Sequence, residues 1–300
     1  MSTTRVSPLS LSLGATHKLP RIHVSQSLAV GEDVVMDADV THYITNVMRV
    51  RAGAPLRLFK CRDGEWLGVL AIPPKETSPV SNKRARRNST PPVVINIMQQ
   101  LRNPADGSNV PSVHLFFAPI KKQRLKLLFE KATELGVHRL IPVLTQNTNE
   151  KWNSAGDTSE AGVPGDDSGS LGRILVESAE QCERLSIPVI DAPTTLNAML
   201  SRFQNEHPHS LLLVCKERSN LFPPKPKPIL VALQDFCTSS SSQLCLLVGP
   251  EGGFTDAEFA DMASREFVQF VSLGESILRA ETAALKALSV AFALFESSSQ

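Results

Sequence analysis

With 300 residues, 42% of them hydrophobic and 20% charged, the chain has the composition of a globular protein and the length for two domains. The longest apolar run, 285–295, is interrupted by Lys286 and is too short to span a bilayer. The net charge of +1 combines a basic half, with 20 Lys and Arg against 11 Asp and Glu in residues 1–150, and an acidic half, with 11 against 19 in residues 151–300.

The N-terminal segment is basic and contains no acidic residue before Glu32. Arg5, Lys18 and Arg21 lie there among many serines and threonines, a composition typical of a mitochondrial transit peptide and equally of an ordinary disordered N-terminus. We predict a flexible leader over residues 1–18, with the mitochondrial matrix as the expected location and the cytoplasm otherwise. The five cysteines contain no C-x-x-C pair, which favours a reducing compartment and argues against a disulfide framework or a structural metal.

Residues 19–110 are predicted to form a small β-barrel module. Turn signals separate the predicted strands 21–25, 54–61, 65–72 and 92–101, and one helix is predicted over residues 40–50. Residues 72–92 are typical of a disordered insertion, whose basic run Lys83–Arg87 suits a nuclear signal, an RNA-binding patch or, most often, a solvated loop. The excess of basic residues suits a module that binds a polyanion, and a chance distribution of surface charge explains it equally well.

From residue 111 onward, strands and helices alternate. The predicted strands are 113–118, 137–144, 187–190, 211–215, 244–248 and 267–272, and the predicted helices are 121–135, 173–184, 194–204, one that begins after Thr255, and 281–295. Residues 147–172 are predicted to form a loop. Because these strands show no polar alternation, we expect a parallel sheet covered by helices on both faces. Residues 111–300 are therefore predicted to be an α/β domain.

The stretch GPEGGF, residues 249–254, joins strand 244–248 to the next helix. Thr255 and Glu258 form a predicted capping box, which fixes the start of that helix and makes the turn short. Ligands of open α/β sheets bind at the carboxyl ends of strands, so this turn is a candidate binding loop. It matches neither the P-loop nor the dinucleotide fingerprint, and it carries Glu251 where phosphate binding would need a lysine.

Two other stretches place charged residues on predicted helices. In residues 272–288, a glycine follows a strand, and Arg279 and Glu281 begin an apolar helix, where Glu281 also complements the helix dipole. In residues 177–190, Arg184 shares one helical side with acidic residues, as ordinary intrahelical pairs do. The last helix has a face of small residues that suits close packing, either in the core or between subunits: Ala283, Ala284, Ala287, Val290 and Ala291.

Taken in order, four stretches resemble the 16S ribosomal RNA uracil-N3 methyltransferase family of the knotted SPOUT superfamily. They are KKQRLKLLFEKATELGVHRLIPVLTQNT, ESAEQCERLSIPVI, LLVGPEGGFTDAEF and LGESILRAETAALKAL, and the resemblance covers about residues 19–296. It implies an α/β fold in which a C-terminal SPOUT domain, with a mostly parallel sheet and a trefoil knot, follows a small PUA-like β-barrel domain that binds RNA. It also implies a homodimer, and we expect neither a metal nor a membrane as a partner.

The activity that the resemblance implies is transfer of a methyl group from S-adenosylmethionine to N3 of a specific uridine in small-subunit ribosomal RNA. This donor has no phosphate, which agrees with the missing lysine in the glycine-rich loop. Arg279 is our candidate for stabilising the imide anion of the base, and Glu281 or Glu251 for orienting or accepting its N3 proton. The implied cofactor-binding residues are Val214, Lys216, Glu217, Gly249, Pro250, Glu251, Gly252, Gly253, Leu273, Gly274, Ile277, Leu278 and Arg279.

Five basic residues are expected to meet ribosomal RNA phosphates, namely Arg21, Arg49, Lys121, Arg124 and Arg184. The insertion 72–92 and the glycine- and acid-rich loop 152–172 depart from the family pattern. Two alternative functions stay open. One is a SPOUT methyltransferase that acts on another base of ribosomal or transfer RNA, and the other is a non-catalytic RNA-binding factor in ribosome assembly.

Overall fold

The computed structural model describes residues 16–71, 92–104, 110–152, 169–217, 225–238 and 242–298. The chain divides into two compact units, Met1–Gly107 and Ser108–Gln300, whereas the sequence pattern places the boundary at residue 110. Most of the predicted leader, of the insertion and of the acid-rich loop lies outside the described residues. Within the described ranges, no helix is both long and apolar enough to cross a membrane.

The first unit contains a five-stranded sheet in the order β1-β3-β4-β5-β2. Its strands are β1 (Arg21–His23), β2 (Asp33–Val35), β3 (Pro55–Lys60), β4 (Gly64–Leu70) and β5 (Val94–Arg102). β1 pairs with β3 in parallel, and the other described pairs are antiparallel. Leu56, Leu58 and Ile95 are fully buried in a hydrophobic core of this sheet. The unit therefore carries its own core, as a separate domain requires.

The helix predicted over residues 40–50 begins earlier in the structure and is shorter. Helix α1 spans Ala38–His42, and Asp37 caps it by accepting a hydrogen bond of 2.8 Å from the Val40 amide. A π-helical segment, Tyr43–Val47, continues the chain. Strand β2 has no predicted counterpart, because three residues with one buried side chain are too few to show an alternating pattern.

Arg21 lies in the interior of the first unit. Its side chain is 3% exposed, its Nε lies 3.3 Å from Oε1 of Glu65, and its guanidinium carbon lies 3.6 Å from the centre of the Phe59 ring. Glu65 also pairs with Arg57 at 3.0 Å and with Arg102 at 3.4 Å. The structure contradicts the prediction that Arg21 contacts RNA, because a buried guanidinium that is held by a carboxylate is not accessible to phosphates.

The second unit contains an eight-stranded sheet in which every described pairing is parallel. Its strands are β6 (Ser112–Phe117), β7 (Arg139–Leu144), β8 (Val189–Ile190), β9 (Thr194–Thr195), β10 (Leu212–Cys215), β11 (Lys227–Pro228), β12 (Gln243–Val248) and β13 (Val268–Ser272). The order is β11-β13-β10-β12-β6-β7-β8, and β9 pairs with β7. The predicted α/β class with a mostly parallel sheet is confirmed, while the trefoil knot and the closed barrel stay predictions.

The helices described in this unit are α2 (Lys122–Leu135), α3 (Ser170–Gln181), α4 (Leu196–Glu206), α5 (Ile229–Cys237), α6 (Asp256–Ala263) and α7 (Ala280–Ser298). The predicted capping box at the start of α6 is confirmed: the hydroxyl of Thr255 accepts from the Glu258 amide, and Glu258 accepts from the Thr255 amide. Helix α5 has no predicted counterpart, although its buried residues Ile229, Ala232, Leu233 and Phe236 recur at helical spacing.

The central strands of the second sheet are buried. Val214 of β10 and Leu247 of β12 lie in one hydrophobic core with Phe203 of α4. β10 pairs with both β12 and β13, and all three run in the same direction. Because parallel neighbours end at the same edge of a sheet, the loops that follow these strands lie close together.

Candidate active site

The loops after β10, β12 and β13 enclose a cavity of about 460 Å³. The strand register places Val214 beside Leu247 and Cys215 beside Val271, so the three strands end near one another. The cavity lining begins with Cys215 at the end of β10, with Val248 at the end of β12 and with Leu273 directly after β13. This is the edge at which open α/β sheets bind their ligands.

Most of the predicted cofactor-binding residues line this cavity: Lys216, Glu217, Gly249, Pro250, Glu251, Gly252, Gly253, Leu273, Gly274, Ile277 and Leu278. Val214 and Arg279 lie outside the lining. Val214 is fully buried in the core, one residue before β10 ends. Arg279 is exposed, and its chain neighbours Leu278 and Ala280 both line the cavity.

Several lining residues have no counterpart in the sequence prediction: Cys215, Val248, Phe254, Phe259, Ser276, Ala280 and Ala283. Most of them flank the predicted loops, at the end of a strand or the start of a helix. Except for Ser276 they are apolar, and this apolar character is the signal in the sequence that marks them, because a ligand site needs apolar walls as well as polar contacts.

The glycines of the loop after β12 meet two different requirements. At Gly249, an added Cβ would lie 2.7 Å from the ring of Phe254, so a side chain does not fit there. Gly253 has φ = 70°, a left-handed conformation that glycine adopts without strain. Its amide donates a hydrogen bond of 2.9 Å to the Pro250 carbonyl. At these positions the loop offers backbone rather than side chains to a ligand.

The loop after β7 supports the glycine-rich loop. Asn147 Nδ2 donates a hydrogen bond of 3.0 Å to the Gly253 carbonyl, and the Gln146 amide donates one of 2.8 Å to Glu258. Glu258 therefore serves both the capping box of α6 and the neighbouring loop. Protein contacts thus fix the shape of the glycine-rich loop, so that a ligand need not order it.

Arg124 connects two acidic residues of the predicted site. Its Nη1 pairs with Glu251, and its Nε lies 3.7 Å from Oε1 of Glu281. Glu251 is 44% exposed, whereas the side chain of Glu281 is 8% exposed. Oε2 of Glu281 is buried and has no hydrogen-bond partner among the described residues. Arg124, expected on an RNA-binding surface, therefore lies between two carboxylates of the site.

The cavity wall also contains a buried lysine. The side-chain nitrogen of Lys216 lies 5.4 Å from the ring centre of Phe259 and 5.3 Å from that of Phe270. Burial lowers the pKa of Lys216. Burial also raises the pKa of the neighbouring Cys215 thiol to about 12. Cys215 is therefore protonated at neutral pH and is not a nucleophile.

The other residues predicted to contact RNA differ in their surroundings. Arg49 and Lys121 are exposed, as an RNA-binding role requires. Arg184 is half-buried, and its guanidinium donates hydrogen bonds of 3.0 Å to the Thr133 carbonyl and 2.8 Å to the Ser186 hydroxyl. Helix α3 ends at Gln181, before Arg184, so the predicted helix 173–184 is too long at its C-terminus. Arg184 therefore contacts the end of α2 rather than lying on a helical face.

The chain is similar to known proteins over most of its length. Residues 107–292 match a family model described as RNA methyltransferase domain, and residues 37–77 match one described as RNA methyltransferase PUA domain. The ribosomal RNA small subunit methyltransferase E of Rickettsia conorii is 29% identical over 272 residues, which cover 90% of this chain and 94% of that protein. The protein of the same name from Synechocystis is 29% identical over 311 residues, with 98% and 86% covered.

Two solved structures that contain S-adenosylmethionine share this fold. Ribosomal RNA small subunit methyltransferase E from Neisseria gonorrhoeae superposes with a TM-score of 0.67 at 22% identity, covering 92% of this chain and 98% of that one. A protein from Legionella pneumophila superposes with a TM-score of 0.69 at 24% identity, with the same coverage. Because the domain match spans residues 107–292, well over half of the sequence, this chain belongs to the RNA methyltransferase domain family.

Proposed function

We propose that this protein uses S-adenosylmethionine to methylate N3 of a specific uridine in small-subunit, 16S-type ribosomal RNA. The observation that carries the proposal is the cavity at the ends of β10, β12 and β13, in a chain of the RNA methyltransferase family. The relatives from R. conorii and Synechocystis, both named as small-subunit ribosomal RNA methyltransferases, support this choice of substrate.

The cavity suits S-adenosylmethionine in size and in chemistry. Its volume of about 460 Å³ lies within the range of small-molecule sites. Gly249, Gly252 and Gly253 leave room for an adenosine to approach the backbone, and Phe254, Ile277 and Leu278 supply apolar walls. When bound, this donor supplies a methyl group that is activated by the positive charge of its sulfonium.

The protein's own contribution is positioning and charge. Holding two reactants in a productive geometry is worth about 7–11 kcal/mol in favourable cases. N3 of uridine becomes nucleophilic when its proton is removed, which places negative charge on O2 and O4 of the base. Arg279 is exposed next to the cavity lining, and its guanidinium is our candidate for stabilising that charge.

Glu281 is a better candidate than Glu251 for holding or accepting the N3 proton. Oε2 of Glu281 has no hydrogen-bond partner among the described residues, and Ala280 and Ala283 on either side of Glu281 line the cavity. Glu251 is more exposed and pairs with Arg124. Arg124 acts as a positioning residue in this proposal, because it contacts both the glycine-rich loop and the start of α7.

Three finer features belong to the same proposal and are supported by the family resemblance: the trefoil knot, the closed PUA-like barrel and the homodimer. The small-residue face of α7 does not support the dimer specifically, since Ala284, Ala287 and Ala291 are fully buried within the single chain. The mitochondrial ribosome is the proposed target, on the composition of the leader, most of which lies outside the described residues.

The proposal is tested first by calorimetry with S-adenosylmethionine. We expect one donor molecule to bind each chain, and absence of binding by the folded protein would favour the alternative of a non-catalytic assembly factor. The substrate is tested by deleting the gene and mapping N3-methyluridine in cytosolic and organellar ribosomal RNA. We expect one site to be lost, in organellar small-subunit RNA. If N3-methyluridine is unchanged in both RNAs while another base of ribosomal or transfer RNA loses its methyl group, the alternative of a methyltransferase with a different target base is correct.

A further inference from the structure

Two histidines and a cysteine lie together near the amino ends of β6 and β12, and the carboxyl end of β12 carries part of the cavity. His114 is on β6, Cys245 is on β12, and His207 directly follows α4. His114 and Cys245 are register partners in neighbouring strands. One ligand atom from each of the three side chains lies within 4.8 Å of the other two. The residues are far apart in the sequence, so no spacing rule identifies them.

One nitrogen of the His114 imidazole has a polar partner, and the other has no hydrogen-bond partner among the described residues. Its Nε2 lies 3.1 Å from the Ser112 hydroxyl, while its Nδ1 is buried and has no hydrogen-bond partner in the described part of the chain. The residue is 7% exposed, so water does not readily take that place. Leaving a buried polar atom unpaired is unfavourable, and such atoms often mark a missing ion or water.

Gln243 contacts the other two side chains of the cluster. Its amide nitrogen lies 2.6 Å from Nδ1 of His207 and 3.3 Å from Sγ of Cys245. Rotation of this amide presents either an N–H or an oxygen to His207, so Gln243 is able to serve either tautomer. Metal-bound histidines are typically oriented by such a contact at the nitrogen that does not bind the metal. Ser112 and Gln243 provide that contact for His114 and His207.

We propose that His114, His207 and Cys245 bind one Zn²⁺ ion, with a water molecule as the fourth ligand. Two imidazole nitrogens and one thiolate suit a borderline-soft ion rather than Mg²⁺ or Ca²⁺, which prefer oxygen ligands. His207 is half-buried and provides access from solvent. The sequence expectation of no metal rested on the absence of a C-x-x-C pair, a pattern that this site does not use.

Zn²⁺ needs two neutral imidazoles and a thiolate, and burial favours the neutral imidazoles but opposes the thiolate. Burial, with His207, Arg139 and His138 nearby, lowers the pKa of His114 to about 3, so its imidazole is neutral at physiological pH. Around His207, where burial also lowers the pKa, the charged groups are Glu206, Arg139 and Asp191. Burial raises the pKa of Cys245 to about 12, so its thiol keeps its proton in the absence of metal. Zn²⁺ therefore binds as the thiol proton leaves to solvent and the sulfur–zinc bond forms.

The position of the site gives it a structural role. Cys245 is three residues before Val248, the first lining residue of the cavity in that strand, a distance of about 10 Å along an extended chain. A metal at this position connects the end of α4 to β6 and β12 without touching the reacting groups. The inference does not depend on the proposed function, and its test reads metal binding rather than methyl transfer.

The test uses the full chain, freed of metal with a chelator, and Co²⁺ as a spectroscopic substitute for Zn²⁺. We expect one equivalent of Co²⁺ to bind, with a thiolate-to-cobalt charge-transfer band that Zn²⁺ abolishes. His207→Gln is expected to weaken Zn²⁺ binding by about 100-fold or more, because loss of an outer contact alone weakens metal sites by about 10- to 100-fold. Cys245→Ser is expected to lose the charge-transfer band.

Cys237→Ser is the matched control, since this exposed cysteine on α5 is outside the cluster. It is expected to keep the band, the stoichiometry and the rise in melting temperature on addition of Zn²⁺. His207 is half-buried at a helix end, so His207→Gln is expected to stay folded, which circular dichroism checks. Failure to bind one equivalent, or equal binding by the unmodified protein and His207→Gln, would overturn the proposal.

Discussion

Two buried glutamates, Glu65 in the first unit and Glu281 in the second, have side chains that are 1% and 8% exposed. Each oxygen of Glu65 faces at least one guanidinium, from Arg21, Arg57 or Arg102. Glu281 has one arginine, Arg124, at 3.7 Å from its Oε1. Oε2 of both glutamates lacks a hydrogen bond among the described residues, but that of Glu65 lies 3.4 Å from Nη1 of Arg102, whereas that of Glu281 has no such ion pair there. Glu65 and Glu281 are thus alike in burial and charge. The number of arginine partners is what distinguishes a structural carboxylate from one that is able to bind a ligand.

The largest effect is expected at the incompletely paired carboxylate. Glu281→Gln keeps the size and polarity of the side chain but removes its capacity to accept a proton. We expect methyl transfer to fall by about 100- to 10,000-fold, the usual contribution of a general base, with little change in melting temperature. Single-turnover assays with saturating donor and RNA measure the effect. Glu296→Gln, an exposed change on the same helix, is the control and is expected to be neutral.

The converse experiment removes the carboxylate that has three arginine partners. Glu65→Gln leaves three arginines around a neutral side chain, two of them buried, and breaking a buried ion pair typically lowers the free energy of unfolding by about 3–5 kcal/mol. We expect a clear loss of stability in urea denaturation and, in the molecules that remain folded, unchanged binding of S-adenosylmethionine. Glu32→Gln is an exposed control in the same unit. Equal stability of the Glu65 variant would remove the distinction between the two glutamates.

A second test of the proposed active site concerns Arg279. Arg279→Ala is expected to reduce methyl transfer by about 100- to 1,000-fold, as loss of one donor to a developing anion does, while donor affinity stays within about twofold. Donor affinity and turnover are measured separately, by calorimetry and by single-turnover assays. Arg202→Ala, an exposed arginine on α4, is the control for loss of charge. Unchanged turnover would refute the role of Arg279.

Arg124 is expected to have a smaller effect, because it acts through Glu251 and Glu281. Arg124→Ala is expected to lower turnover and donor affinity together, by about tenfold, since it releases the glycine-rich loop from α7 and removes a partly buried pair. Arg124→Lys keeps the charge and is expected to recover part of both losses. If Arg124 instead contacts RNA phosphates, its loss will weaken RNA binding alone and will flatten the salt dependence of that binding.

The smallest expected effect is the dependence of folding stability on pH that His138 causes. Burial and Arg184 lower the pKa of His138 from 6.5 to about 4, and Nδ1 of His138 accepts a hydrogen bond of 3.1 Å from the Val113 amide. The unfolded chain binds a proton there below about pH 6.5, whereas the folded protein does so only near pH 4. Stability is therefore expected to fall as pH decreases across this window, and His138→Gln should make urea midpoints less dependent on pH.

The sequence predicts local features of this molecule better than distant pairings. The capping box at Thr255 and Glu258 is contained in four residues, so its pattern is visible and correct. The family resemblance predicts that Arg21 contacts RNA, whereas its ionic partner Glu65 lies far along the chain, on β4. The role of Asn147 is not predicted for the same reason, because its contact with Gly253 joins loops that follow different strands.

Element boundaries and surface roles show a second limit. Arg184 lies beyond the last residue of α3, because Glu183 has φ = 59° and ends the helical conformation. Helical periodicity does not reveal such a stop, since the acidic pattern continues through it. For the cofactor loops, the family motifs name contiguous residues, and the fold brings most of them to one cavity. Their apolar walls, Phe254 and Phe259 among them, come from packing that no motif contains.

The contacts of Asn147 and Glu258 fix the glycine-rich loop before any ligand binds. In our proposal this loop binds the adenosine part of the donor, which methyl transfer leaves unchanged. We therefore expect the demethylated product, S-adenosylhomocysteine, to bind about as tightly as the donor, and competition calorimetry would show this. An affinity for product more than about tenfold weaker would contradict it, since that corresponds to about 1.4 kcal/mol of discrimination. With equal affinities, the rate of methylation would follow the cellular ratio of donor to product, and the enzyme would report the methylation capacity of its compartment.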